Sequence, residues 1–98
     1  MMIVPQISIK DSAGNLKDIP AEGVFLFVGM RPQTEFLKGV VDFDPAGYII
    51  ADENLATSAK GIFVAGDCRK NSIRQVITAC GEGAVAAYSV HKLLEKYD

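Results

Sequence analysis

Gly61-Ile62-Phe63-Val64-Ala65-Gly66-Asp67 is the stretch that decides the fold class. Its apolar residues run continuously rather than alternating, as in a strand covered on both faces within a parallel sheet. Gly23-Val24-Phe25-Leu26-Phe27-Val28-Gly29 has the same form, and Arg31-Pro32 follows where a loop must leave the sheet. Two such buried parallel strands, each ending in glycine, predict an α/β layer. Between them, Asp44-Pro45-Ala46-Gly47 reads as a turn and Tyr48-Ile49-Ile50 as a short strand.

Outward from this centre, each end of the chain has its own period. Ile7 and Ile9 alternate with Ser8 and Lys10, the two-residue repeat of a half-buried strand. Asp11-Ser12-Ala13-Gly14-Asn15 is turn chemistry, with Gly14 or Asn15 suited to positive φ. A return strand from Leu16 to Ile19 stops at Pro20, so residues 3–20 read as a hairpin. From about Ile73 to Tyr97 the period becomes helical: Val76, Cys80, Ala84, Ala87, Val90 and Leu94 fall on one face. Lys92 and Lys96 suit the negative end of that helix. Its first half is built of small residues, among them Ala79, Gly81, Gly83 and Ala84. Glycine inside a helix is destabilising, so a closely approaching neighbour is expected there.

Composition bounds the function. The chain has 98 residues, room for one small domain, with 49% hydrophobic and 22% charged residues. That apolar share suggests a face that packs on another domain, a cofactor or a second copy. A formal net charge of −2 leaves no basic footprint for nucleic acid or anionic lipid. No apolar run approaches the ~20 residues that span a bilayer, and Met1 to Lys10 do not resemble a secretory leader. With Cys68 and Cys80 outside any CxxC pair and His91 alone, no zinc site is expected. The expectation is a cytoplasmic protein with free thiols, no metal and no membrane or nucleic-acid partner.

The densest chemistry lies between Gly61 and Gly83. Ligands of open α/β sheets sit beyond the carboxyl ends of strands. There Gly66 permits close backbone approach, and Asp67 offers an acceptor for a sugar or polyol hydroxyl. The helix start near Arg74-Gln75-Val76 adds free N–H groups and a positive dipole end. The alternative is a plain strand–loop–helix in which Asp67 only terminates the strand, and local chemistry leaves the two even.

Longer motifs carry a resemblance. Thr57-Ser58-Ala59-Lys60-Gly61-Ile62-Phe63-Val64-Ala65-Gly66-Asp67, then Arg74-Gln75-Val76-Ile77-Thr78-Ala79, then Gly83-Ala84-Val85-Ala86-Ala87 resemble the C-terminal FAD-binding segment of low-molecular-weight thioredoxin reductases. Gly23 to Thr34 and Asp44 to Ile49 resemble earlier segments of the same family in the same order. The resemblance implies a partial Rossmann-like FAD-binding domain over residues 1–98, with residues 3–20 at the crossover from an NADPH domain. It implies that Asp67 bonds the ribityl chain of FAD, that Gly66 gives close approach, and that Arg74, Gln75 and the Val76 N–H lie by the flavin. It implies NADPH-dependent disulfide reduction, with a thioredoxin-like protein as partner of the complete enzyme.

The departures are equally informative. The sequence holds no CxxC pair and neither dinucleotide fingerprint of that family. Gly81-Glu82-Gly83-Ala84-Val85-Ala86 fits G-x-G-x-x-A, but it falls within the helix, where the motif has no phosphate-binding context. The chain alone is therefore expected to have no catalytic residues and no activity, and to hold FAD weakly or not at all. It corresponds to about the last third of such an enzyme. Other readings remain: a split-gene subunit that completes a flavin site with a partner chain, or a non-catalytic interaction module. Uncovered strand edges and apolar faces predict self-association. Cys68 reads as a small buried or semi-exposed thiol close to the flavin position, not a catalytic one, and His91 as a solvated residue or dipole partner.

Overall fold

The structure, a computed structural model, describes residues 1–97. Two compact units divide it, one over Met1–Met30 and the other beginning at Arg31.

In the first unit, β1 (Gln6–Lys10) and β2 (Leu16–Pro20) pair antiparallel with Ile7 opposite Ile19. The expected hairpin is present. Its turn is set by Asp11, whose Oδ1 accepts from the N–H groups of Ala13 at 2.9 Å and Asn15 at 2.8 Å. Gly14 supplies the positive φ of 89°. The ladder continues beyond the strands, with Met2 and Val24 exchanging hydrogen bonds of 3.0 and 2.8 Å.

Residues beyond Val24 depart from expectation. Phe25, Leu26, Phe27 and Val28 were expected inside a buried parallel strand, yet Phe27 and Val28 are each 88% exposed. The Phe25 and Phe27 rings are parallel with centroids 6.3 Å apart, close to the two-residue repeat of an extended chain. The segment thus keeps strand-like spacing, but no described residue supplies a ladder or a cover for it. A doubly apolar strand is buried only when layers lie on both its faces.

In the second unit the core is small. Val41, Ile49 and Val64 form its centre, with Leu37, Phe43, Ala51, Ala59 and Cys68 around it. The Gly61–Asp67 stretch contributes Val64 to this core, but not as a parallel strand. Residues 62–64 fold back antiparallel on 55–57: Val64 N–H donates to Leu55 C=O and Thr57 N–H to Ile62 C=O, both at 3.0 Å. Among the described residues the parallel pairing is the single bridge of Ile49 with Arg69. There the Ile49 N–H donates to Cys68 C=O and the Lys70 N–H to Ile49 C=O, each at 2.8 Å. A chain segment pairs with whatever neighbour its turns bring alongside, and the turn at Gly61 (φ 87°) brings residues 55–57.

The turn of Asp11 recurs in this unit. Asp44 Oδ1 accepts from Ala46 and Tyr48 N–H, both at 2.9 Å, with Gly47 at φ 91°. Asp52 Oδ1 accepts from Asn54 N–H at 2.9 Å and Ala56 N–H at 3.0 Å. In this last copy the left-handed position is taken by Leu55, at φ 62°. A leucine there is strained by about 1–2 kcal/mol, and its burial to 5% exposure offsets the strain.

Helix α1 spans Val76–Glu95. It starts later than the periodicity suggests, because Arg74 is left-handed at φ 64° and Gln75 is extended. Thr78 fixes the start: its hydroxyl donates to Gln75 C=O at 2.8 Å and accepts from Gln75 N–H at 3.3 Å. His91 and Lys92, in the last turns, pair with Glu95 at 3.1 and 3.6 Å.

The face of α1 turned to the body is not the expected one. Thr78, Ala79, Glu82, Ala86, Ser89 and Leu93 are the half-buried residues. The apolar line through Val76, Cys80, Ala84, Ala87, Val90 and Leu94 lies roughly a third of a turn away and is exposed. Gly81 and Gly83 likewise face open space, so no neighbour compensates them here. A polar anchor on Glu82 decides the orientation.

Candidate functional site

Gly66 ends the stretch that contains the core residue Val64 and is itself buried, at φ 91°. A Cβ there would lie 3.8 Å from the Cβ of Ala79, so space permits a side chain but backbone conformation penalises it. This near contact brings the second turn of α1 against the end of the 61–66 stretch. Residues 67–75 form the loop between them.

The loop is held by one carboxylate. Glu82 Oε1 accepts from the Gly66 N–H at 3.2 Å and from Arg69 Nε at 2.5 Å, while Oε2 accepts from the Ser72 hydroxyl at 3.4 Å. The side chains of Arg69 and Glu82 are 21% and 13% exposed, respectively, so water competes weakly for the pair. Hydrogen bonding from Arg69, and secondarily from Gly66, holds the Glu82 carboxyl below its ordinary range against the opposing effect of burial. In the sequence Glu82 stands out only as the second position of a G-x-G-x-x-A that lies outside its phosphate-binding context. The signal was there: a lone acid within a run of small helical residues needs a partner.

Beyond the loop, an open depression of about 410 Å³ is lined by Asp67, Arg74, Gln75, Val76, Ala79 and Cys80. The structure therefore brings together all the expected site residues except Gly66, which lies at the buried end of the same strand–loop. Asp67, Arg74, Gln75 and Val76 are exposed. The first-turn N–H groups at Val76 and Ile77 have no intrahelical acceptor, as at any helix start. Arg74 is placed twice over: its N–H donates to the Ser72 hydroxyl at 3.3 Å, and its guanidinium lies 4.4 Å from the Tyr48 ring centroid. Tyr48, at 8% exposure, belongs to the buried residues. The stack leaves the in-plane N–H groups of the guanidinium free to bind an acceptor.

The two thiols sit in different settings, and Cys68 is half-buried. Cys68 turns inward onto the core cluster, with Sγ 3.8 Å from Ala65 C=O. Cys80 is exposed and lines the depression. Among the described residues no cluster of His, Cys, Asp or Glu is arranged to hold a metal, and no helix is long and apolar enough to cross a membrane.

The chain belongs to the pyridine nucleotide-disulphide oxidoreductase family, whose family model matches residues 5–83. Within that family it is similar to thioredoxin reductases. It is 48% identical over 73 residues to the thioredoxin reductase of Peptoclostridium acidaminophilum, covering 74% of this chain and 23% of that protein. With the Treponema pallidum thioredoxin reductase the identity is 40% over 93 residues, covering 94% of this chain and 30% of that protein. The crystal structure of T. acidophilum thioredoxin reductase superposes with a TM-score of 0.82 at 39% identity, over 90% of this chain and 30% of that one. That of Lactococcus lactis thioredoxin reductase gives 0.82 at 34% identity, over 94% and 31%. The chain spans less than a third of the length of these relatives. The α/β fold class and the resemblance to a thioredoxin reductase segment both stand on these matches.

Proposed function

We propose that this chain supplies one wall of the FAD site of a thioredoxin reductase-like flavoenzyme. The observation that carries the reading is the convergence of Asp67, Arg74, Gln75 and Val76 on one depression at the start of α1. Its volume, about 410 Å³, lies within the ~300–1,000 Å³ range of small-molecule pockets. The donor set fits the group. Asp67 would offer carboxylate oxygens as acceptors for the ribityl hydroxyls, and the Val76 N–H with the positive helix end would favour an electron-rich part of the group. Arg74, braced on Tyr48, and Gln75 would help to hold the cofactor. A bound flavin supplies the hydride and electron chemistry; these residues bind and orient.

NADPH-dependent reduction of a disulfide, with a thioredoxin-like protein as partner, belongs to the complete enzyme on this reading. The present sequence has no CxxC pair, so the chain alone is inactive, and it has no dinucleotide fingerprint for the FAD pyrophosphate, so it holds FAD weakly. A second reading rests on the exposed apolar line of α1 from Val76 to Leu94: the chain completes its flavin site with a partner chain, or associates with itself. On either reading it works in the cytoplasm.

Titration of the purified chain by FAD fluorescence tests the reading. Saturable quenching with a dissociation constant on the order of 10⁻⁵–10⁻³ M, weakened in Asp67→Ala, is the expected result. Quenching that is absent, or identical in the variant, overturns it. Light scattering over a range of concentrations separates the two readings, since a monomer throughout removes self-association.

A further inference from the structure

We propose that Glu82 is the positioning residue of this site, fixing the end of the 61–66 stretch and the loop after it against the helix that carries the opposite wall. The proposal rests on the flavin reading for its consequence, but its geometry stands by itself. Asp67 follows Gly66 directly, so the direction of its carboxylate depends on where the Gly66 peptide is held. That peptide is held by Glu82 Oε1, which accepts its N–H at 3.2 Å.

The same carboxylate takes Arg69 Nε and the Ser72 hydroxyl, so it ties down residues on both sides of Cys68 and up to the approach to Arg74. Ser72 in turn accepts the Arg74 N–H at 3.3 Å. A continuous chain of hydrogen bonds therefore runs from Gly66 through Glu82 and Ser72 to Arg74. Asp67 follows the residue at one end of this chain and Arg74 is its other end, and both line the depression. Arg74 is left-handed at φ 64°, a conformation that persists only where its surroundings impose it. Glu82 touches no part of the depression's lining role, and acts through the residues it holds.

The donors have different requirements. Gly66 N–H needs an acceptor, whereas Arg69 needs an opposite charge. An arginine at 82 cannot meet the need of Gly66, because a guanidinium has no acceptor. Exchanging the charges, Arg69→Glu with Glu82→Arg, restores an ion pair and leaves the Gly66 amide unheld. Glu82→Gln does the reverse: its carbonyl oxygen still accepts from Gly66 while the pair with Arg69 loses its charge.

The test compares the 98-residue chain with Glu82→Ala, Glu82→Gln and the charge exchange. Amide exchange at Gly66, thermal unfolding and FAD titration are measured on each. In Glu82→Ala, protection of the Gly66 amide is lost and FAD binding weakens about tenfold, the scale of one charge-assisted hydrogen bond. The charge exchange recovers the unfolding midpoint but neither amide protection nor affinity, and Glu82→Gln keeps much of both. Recovery of Gly66 protection and affinity by the exchange overturns the proposal, since an ion pair would then suffice. So does unchanged Gly66 protection in Glu82→Ala. If the exchanged chain does not fold, Glu82→Gln decides, and a loss of protection there equal to that in Glu82→Ala overturns the proposal. Should the unmodified chain bind no FAD while the amide pattern holds, the flavin reading fails and the positioning role of Glu82 remains.

Discussion

The guanidinium of Arg74 lies over the ring of Tyr48, 4.4 Å from its centroid, while the Arg74 backbone is left-handed at φ 64°. Two opposed contributions thus meet in one residue. The stack is worth about 0.5–1 kcal/mol at an exposed site, and the left-handed backbone costs about 1–2 kcal/mol.

Arg74→Ala loses the stack and keeps the strain, so the chain is destabilised by about 0.5–1 kcal/mol. Arg74→Gly loses both, and its stability stays near that of the unmodified chain. Urea unfolding of the pair measures the difference; equal destabilisation in both would refute the balance. FAD binding weakens in each, because the guanidinium leaves the depression either way.

The Glu82 carboxyl titrates below its ordinary value of 4.5 in the folded chain. A depressed folded value means that the unfolded state binds the proton more readily, so stability falls as the pH falls. The contribution is fully present well above 4.5, declines as the pH drops through that ordinary value, and is gone beneath the depressed one. The stability difference between the unmodified chain and Glu82→Gln, followed by urea unfolding from neutral to acid pH, shrinks over that window. A difference independent of pH would show that the charge of Glu82 contributes nothing.

The recurrent aspartate loop yields substitutions of contrasting origin. Gly47→Ala costs about 1–2 kcal/mol through its φ of 91° alone, since a Cβ there meets Pro32 Cγ at an ordinary 3.5 Å. Leu55→Gly relieves backbone strain yet still destabilises by about 1 kcal/mol, because the buried side chain is worth more than the strain. Unfolding of both variants checks the signs, and a stabilised Leu55→Gly would reverse the account of Leu55.

Site-resolved labelling with iodoacetamide, read by peptide mass spectrometry, distinguishes the thiols. Cys80, exposed, reacts well before Cys68, which packs on the core cluster. FAD at saturating concentration slows Cys80 and leaves Cys68 as it was. Slowing confined to Cys68 would place the ligand elsewhere.

How much of this was readable beforehand depends on whether the cause was local. The hairpin, the Asp11 and Asp44 turns and the helix all follow from residues close in sequence, and each was legible. So was the gathering of Asp67 with Arg74, Gln75 and Val76, because a strand end and a helix start separated by a short loop have little choice but to meet. The Asp52 turn was missed because Leu55 sits where glycine signals the left-handed position in the other copies. The orientation of α1 was misread for a different reason. Apolar periodicity identifies the face that wants cover, whereas the face actually covered is chosen by partners, and Glu82 found three donors in the loop 66–72. Phe25 to Val28 show the same gap: apolar continuity describes what a strand needs, not what the chain provides.

That thinly covered interior has a thermodynamic signature. In the second unit the buried hydrophobic residues are Val41, Tyr48, Ile49, Leu55 and Val64, and no described side chain falls below 2% exposure. Unfolding therefore transfers less hydrocarbon to water than it does for a fully covered domain. Its heat-capacity increment falls below the ~1.2–1.5 kcal/mol/K usual for a domain of about 100 residues. The denaturant slope is correspondingly shallow, and calorimetry records a low, broad endotherm instead of a sharp peak.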